Sequence, residues 1–170
     1  MKQTYKTLRQ AVIIGIFDSQ FGELAAWLDS DNRLIRLSFH IEDDLQHAVE
    51  NGVLRDDNRV QFIASQIEEY QQGKRTEFNI AIGLNGTPFQ MKVWDELNKI
   101  PFGETISYQT LATRVGNPKA SRAVGRANGM NPISVIIPCH RVIGSNGSLT
   151  GYEGGVLIKE KLLAFEKGTK

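Results

Sequence analysis

Between Val12 and Phe39 the apolar positions fall in short β-branched or alternating segments, such as VII at Val12–Ile14 and RLIRLSF at Arg33–Phe39. The turn-forming string DSDN at Asp29–Asn32 separates them. This pattern predicts a small antiparallel meander. The period then lengthens. Val60, Ile63, Ile67 and Tyr70 recur at helical spacing, with Asp57 or Asn58 in position to cap the helix and Gly73 in position to end it. A further strand is expected at about Phe78–Ile82, closing in the turn Leu84-Asn85-Gly86.

Thr87-Pro88-Phe89-Gln90 has the form of a helix start. Thr87 can accept from the amide of Gln90, Gln90 can reach back, and Pro88 takes the first helical position, where its missing N–H costs nothing. Phe89, Val93, Leu97 and Ile100 then share one face until Pro101 ends the helix. Two short helices follow. Ser107 is positioned to cap Tyr108–Val115 and Gly116 to stop it, while Asn117 and Pro118 are positioned to begin a second helix reaching about Asn128. The turn between them would be roughly four residues or fewer, a helix-turn-helix spacing. The expected class is α+β, in two lobes. Residues 1–85 form a small antiparallel-sheet lobe with a helix, and residues 86–170 a mostly helical lobe containing the helix-turn-helix.

Composition changes this picture little. The chain has 170 residues and a mass of 19.0 kDa, and its 41% hydrophobic and 23% charged content is that of an ordinary globular protein. The single cysteine excludes an internal disulfide and a multi-cysteine metal site, which suits a reducing compartment, so cytoplasm is the expectation. MKQTYKTLRQ followed by apolar Ala11–Phe17 has the outline of a secretory signal, but Asp18 closes the run and Val12, Ile13 and Ile14 favour a strand. No other run is long enough to cross a membrane.

Charge is more informative in its distribution than in its total of +1. Residues 1–85 carry 9 Lys+Arg against 13 Asp+Glu, net −4, and residues 86–170 carry 11 against 6, net +5. From Thr105 to Tyr152 the basic residues Arg114, Lys119, Arg122, Arg126 and Arg141 occur without any acid, a composition that attracts phosphates. The second helix of the pair, in PKASRAVGRANG, is mostly Ala, Ser and Gly. Readers of the major groove carry long polar side chains there. A slim helix suits the narrow minor groove, with an arginine entering the base stack. The alternative is a plain hairpin of core helices.

The only thiol, Cys139, lies in SVIIPCHRVIG between Pro138 and His140. Lone cysteines are usually inert small hydrophobes. Here an imidazole and Arg141 follow directly, surroundings expected to lower the thiol pKa and enrich the thiolate. Neighbours in an extended segment point to opposite faces, so cooperation between Cys139 and His140 needs a sharp turn or a bridging water. A cysteine hydrolase is the weaker reading, because papain-like enzymes separate nucleophile and base widely and carry another motif.

IPCHRV at Ile137–Val142 is preceded by Asn131-Pro132 and followed by GYEGG at Gly151–Gly155 and KEKLLAFE at Lys159–Glu166. With SYQTLA at Ser107–Ala112 and SRAVGRAN at Ser121–Asn128, these motifs resemble the O6-alkylguanine-DNA alkyltransferases over about half of the chain. The resemblance implies DNA repair by stoichiometric transfer of an alkyl group from O6-alkylguanine, with O4-alkylthymine as a second candidate, to Cys139 of a flipped-out nucleotide. Arg122 matches the intercalating arginine, and Tyr108 the tyrosine that crowds the phosphate and protonates the leaving guanine. Ala120, Ser121, Ala123 and Arg126 would face the DNA beside Arg122. His140 would take the thiol proton through a water and Glu166 would orient it, while Asn131 ties the recognition helix to the active-site turn.

The carbonyls of Cys139 and Val142 would accept the guanine amine. Tyr152, Glu153, Gly154 and Gly155 would form the loop over the pocket. Glu153 departs from the family pattern, and its carboxylate is expected to narrow the mouth or repel phosphates. No cofactor is implied, and His40 and His47 without a second cysteine imply no metal. The expected partner is double-stranded DNA, bound by a monomer through the minor groove. The alternative within this resemblance is a module that recognises alkylated bases without reacting, a class in which the cysteine is replaced.

Overall fold

The computed structural model describes residues 10–169, so the basic positions Lys2, Lys6 and Arg9 of the signal-like outline lie outside it. The apolar remainder of that outline is strand β1, Ala11–Phe17. It pairs antiparallel with β2, Leu24–Asp29, which pairs antiparallel with β3, Leu34–Ser38. This is the expected meander. A two-residue strand β4, Leu54–Arg55, adds to β1 in parallel, giving the order β3-β2-β1-β4 and making the sheet mixed rather than antiparallel. The chain divides into two compact units at the Asn85–Gly86 bond.

Every residue of β2 and β3 is buried, so both faces of the sheet are covered. Ile14, Ala25, Trp27 and Ile35 cluster with Ala48 of helix α1, Ile41–Glu50, on one face. Alternation sends Gly15 to the other face, against Val60 of a 3₁₀ turn at Asp57–Val60. Helix α1 was not expected from the sequence. Besides Ala48, its buried residue is Asp44, which takes Nε of Arg36 at 3.0 Å and the hydroxyl of Ser38, so this helix is anchored by a buried ion pair.

The expected helix is α2, Gln61–Gln71, with Ile63, Ile67 and Tyr70 buried. Its approach differs by one residue, because Asp56 rather than Asp57 or Asn58 accepts the free amides, those of Asn58 and Arg59. Residues 78–82 do not form the expected strand. Ile82 makes a single parallel bridge to Leu34, flanked by Leu34 N to Ala81 O and Gly83 N to Leu34 O, at 2.8 and 2.9 Å. Its other end is held by side chains instead, with Gln66 bonding both backbone groups of Asn79 and Tyr70 meeting the Phe78 ring.

In residues 86–170, α3 spans Pro88–Leu97 and begins with the expected reciprocal cap, Gln90 N to Thr87 Oγ1 at 3.2 Å and Thr87 N to Gln90 Oε1 at 2.8 Å. Val93, Leu97 and Ile100 are buried as expected, but Phe89 is 37% exposed and Trp94 takes the interior place. The Trp94 indole donates to Ala127 O at 2.9 Å. Helix α4, Tyr108–Arg114, is capped by Ser107 and ended by Gly116 at φ +83°. Helix α5, Ser121–Gly129, starts three residues later than expected. Asn117 spends its side chain on Lys119 N and its carbonyl on Ala120 N, folding Pro118 into a turn and lengthening the connection. A two-stranded parallel pair, β5 Ile106–Ser107 and β6 Val142–Ile143, and helix α6, Val156–Gly168, complete the unit.

At Gly15 a β-carbon would collide with Cγ2 of Val60 and lie 2.8 Å from the Asp56 carbonyl. Gly15→Ala should therefore lower stability by about 2 kcal/mol in urea unfolding. An unchanged midpoint would show that this contact yields freely.

Candidate active site

Residues 131–141 are buried without interruption, yet they form turns rather than a strand. Asn131 organises them. Its Nδ2 donates to Ile137 O at 2.8 Å and Ile133 O at 3.2 Å, and its Oδ1 accepts from Ile133 N at 3.0 Å. Within this clamp Val135 adopts φ 70°, a left-handed conformation that costs a β-branched residue about 1–3 kcal/mol. The chain then enters a 3₁₀ turn at Cys139–Arg141. Successive side chains of such a turn point about 120° apart, so Cys139 and His140 are neither opposed nor in line. The turn meets the geometric demand raised by their adjacency.

His140 Nε2 lies 2.8 Å from Glu166 Oε1, and the other imidazole nitrogen is buried with no hydrogen-bond partner among the described residues. Arg141 does not contribute to a basic surface. It is buried, gives Nε and Nη2 to Glu166 at 2.9 Å each, and gives Nη1 to Ile100 O at 2.6 Å. Glu166 also accepts from Gly103 N at 2.9 Å. Burial opposes ionisation of Glu166, but the bonds from His140 and Arg141 outweigh it and hold the carboxyl well below the usual carboxylate range. Burial pushes His140 below its ordinary value, against the pull of Glu166, so the imidazole is neutral near pH 7.

Cys139 is only 2% exposed. Burial pushes its thiol up to about 11, opposed by a hydrogen bond from Asn131 and the charge of Lys159 and reinforced by Glu153. This reverses the expected lowering. The reason is that Arg141 faces Glu166 and His140 is uncharged, so neither supplies the positive field their sequence positions suggest.

Two buried donors escaped the sequence reading. Lys159 on α6 gives Nζ to Val142 O at 2.6 Å and Thr150 O at 2.9 Å, and burial lowers its pKa against the pull of Cys139. Asn128 on α5 gives Nδ2 to Cys139 O at 3.3 Å, with its Oδ1 buried and without a partner among the described residues. A lysine in KEKLLAFE and an asparagine in SRAVGRAN look like surface residues by type. Only their helical spacing, Lys159 seven residues before Glu166 and Asn128 four after Val124, placed both on inward faces.

Residues 150–155 lie over the turn. Tyr108 Oη donates to Thr150 O at 3.0 Å, the Tyr152 ring stands edge-on to His140 at 6.3 Å, and Ser134 Oγ donates to Glu153 Oε2 at 3.1 Å. Gly151 and Gly155 have φ of +64° and +87°, and Gly154 between them and Glu153 is half-buried. The structure thus assembles Cys139, His140, Glu166, Asn131, Val142, Tyr108, Tyr152 and Glu153 around one turn. Arg122, Ala123 and Arg126 are exposed on α5, Ala120 and Ser121 are half-buried at its start, and Val124, Ala127 and Asn128 form its buried side. Among the described residues no three His, Cys, Asp or Glu side chains group as a metal site, and no helix is long and apolar enough to cross a membrane.

Glu166→Gln leaves the Arg141 guanidinium buried without its counter-charge and should cost about 3 kcal/mol near pH 7. Because the Glu166 pKa is depressed on folding, its contribution is present above the ordinary carboxylate range and is lost as pH falls through the folded value. The difference between parent and variant stabilities, measured by denaturant at several pH values, should begin to shrink as pH falls below about 4 and keep shrinking toward the folded value. Equal stability at pH 7 would remove Glu166 as the anchor. For the thiol, alkylation of Cys139 by iodoacetamide should speed up about tenfold per pH unit from pH 7 to 10. A rate that levels off near pH 8 would show an ordinary or depressed thiol.

The profile of the 6-O-methylguanine DNA methyltransferase DNA-binding domain matches residues 88–168. The methylated-DNA–protein-cysteine methyltransferase of Methanosarcina mazei is 42% identical over 82% of this chain and 89% of its own length. The constitutive enzyme of that name from Bacillus subtilis is 41% identical over 88% of this chain and 92% of its own. The match to the Methanosarcina acetivorans protein is 54% identical but spans 65% of that relative, slightly less than two thirds. Among solved structures, the Mycobacterium tuberculosis O6-methylguanine methyltransferase superposes with a TM-score of 0.83 at 39% identity, over 92% of this chain and 93% of that one. The same protein, as OGT in complex with DNA, gives 0.83 at 40% identity over 93% and 94%. This chain belongs to the methylated-DNA–protein-cysteine methyltransferase family.

Proposed function

We propose that this chain repairs DNA by moving the alkyl group of O6-alkylguanine onto Sγ of Cys139. The observation that carries this reading is the turn itself, which seats the sole cysteine beside an imidazole whose far nitrogen is held by Glu166 at 2.8 Å. The free nitrogen of His140 takes the thiol proton through a water. Sγ then attacks the saturated carbon, the carbon–O6 bond breaks, and Tyr108 supplies the proton that neutralises the guanine. The carbonyls of Cys139 and Val142 accept the guanine amine. They are fixed beforehand by Asn128 and Lys159. A thioether has no route back to a thiol here, so each molecule reacts once.

DNA enters the reading through α4 and α5, a helix-turn-helix whose second helix exposes Arg122, Ala123 and Arg126. These small and basic residues suit the minor groove, with Arg122 filling the space of a nucleotide turned out of the stack. The relative in complex with DNA supports the same partner. A recognition module that never reacts is the other reading, and the presence of Cys139 speaks against it.

Incubation with a duplex carrying O6-methylguanine should leave the Cys139 peptide heavier by one methylene, by mass spectrometry. Cys139→Ser should abolish transfer and keep DNA binding. Arg122→Ala should slow repair in duplex by about tenfold more than reaction with the free base. Unchanged mass with bound DNA would favour the non-reacting module, and equal slowing on both substrates would refute the role of Arg122 in extrusion.

A further inference from the structure

Glu153 is the first carboxylate after the acid-free run Thr105–Tyr152, and the fold turns it inward. It follows Tyr152, whose ring meets His140, and it precedes Gly154 in the segment over the turn. Its Oε2 accepts from the hydroxyl of Ser134, a residue with no solvent exposure on the segment leading to Cys139. The half-buried carboxylate is thereby tied to the buried segment that leads to Cys139, and its charge is felt at the thiol. Lys159 opposes it at the thiol, with a smaller effect than that of Glu153. His140 is neutral, Tyr108 is held un-ionised by burial, and Lys159 is committed to two carbonyls while still acting on Cys139 from the opposite sign.

An alkyl group delivered to Sγ brings its own substituents into this field. We propose that Glu153 is a specificity-determining residue, whose fixed carboxylate makes the pocket discriminate against alkyl groups that carry negative charge, such as carboxymethyl, in favour of neutral ones. The inference rests on the alkyl-transfer reading and names its substrate class. Sγ–carbon bond formation, carbon–O6 cleavage and guanine protonation are the same for every adduct. Only the interaction between the substituent and Glu153 differs, and repulsion between like charges in a partly desolvated site is only partly screened.

The test compares single-turnover transfer from duplexes carrying O6-carboxymethylguanine and O6-carbamoylmethylguanine, which match in shape and differ in charge. Intrinsic reactivities of the two carbons cancel when the rate ratio is compared between protein variants. Glu153→Gln keeps an oxygen for Ser134 and removes the charge, so the carboxymethyl-to-carbamoylmethyl ratio should rise by about tenfold. Glu153→Asp keeps the charge and should hold the ratio near that of the parent, which guards against an effect of misfolding or of the lost contact. The same ratio in the parent and the Gln variant overturns the inference, as does an equal rise in the Asp variant. A third duplex, with O6-methylguanine, separates the levels of failure. If the parent transfers methyl and the ratio does not move, only the role of Glu153 falls. If the parent transfers nothing, the alkyl-transfer reading falls and this inference with it.

Discussion

One buried carboxylate holds the site together. Glu166 accepts from His140, from two nitrogens of Arg141 and from the amide of Gly103, and so joins helix α6, the 3₁₀ turn and the segment after α3. An ion placed out of water is tolerated only when its lone pairs are filled and a counter-charge is close. Arg141 supplies the charge, while His140 supplies a directional bond without needing a charge of its own. The consequence is geometric, because an imidazole pinned at Nε2 can present only its other nitrogen elsewhere. That nitrogen is buried and has no hydrogen-bond partner among the described residues.

The same burial creates the central tension of the site. A thiol reacts as its anion, yet exclusion from water raises the Cys139 pKa to about 11. In this arrangement the sulfur rests as the protonated, less oxidisable form, and in the proposed transfer the cost of making it nucleophilic would fall on the moment of reaction. Nucleophilicity also rises with thiol pKa, so the anion, once formed, is the stronger attacker. A neutral His140 suits the proposed role better than a charged one, since only an unprotonated imidazole could receive the thiol proton.

What the sequence made legible follows from the nature of the interactions. Capping is local, so the box at Thr87–Gln90, the cap at Ser107 and the stop at Gly116 could be read from residue type and spacing alone. Motif resemblance named the residues that the structure gathers around the Cys139 turn, from Tyr108 to Glu166. The adjacency of thiol and imidazole called for a sharp turn or a bridging water if the two were to cooperate, and the structure has a turn at Cys139–Arg141. Features that depend on a distant partner were hidden. Helix α1 was missed because its anchor is Asp44 with Arg36, where a periodicity argument looks for an apolar residue. Arg141 looked like surface charge until Glu166, 25 residues on, was brought beside it. Residues 78–82 had strand composition, but only Ile82 reached the sheet edge. Pro118 looked like a helix start, and Asn117 turned it into part of the connection.

Helix α5 has two chemically distinct sides, and this links recognition to reaction in the proposed function. Its exposed side carries Arg122 and Arg126, and its buried side ends in Asn128, which holds the Cys139 carbonyl at 3.3 Å. The helix is braced by the Trp94 indole on Ala127 O and by Ser121 Oγ on Gln109 Oε1. Gln109 in turn donates to Pro118 O and ties down the preceding connection. A helix held at both ends moves as a body. In the proposed function, a displacement of its exposed side on meeting DNA would be passed through Asn128 to the carbonyl of Cys139. On that reading no separate moving part is needed between the surface proposed to meet the duplex and the sulfur proposed to accept the alkyl group.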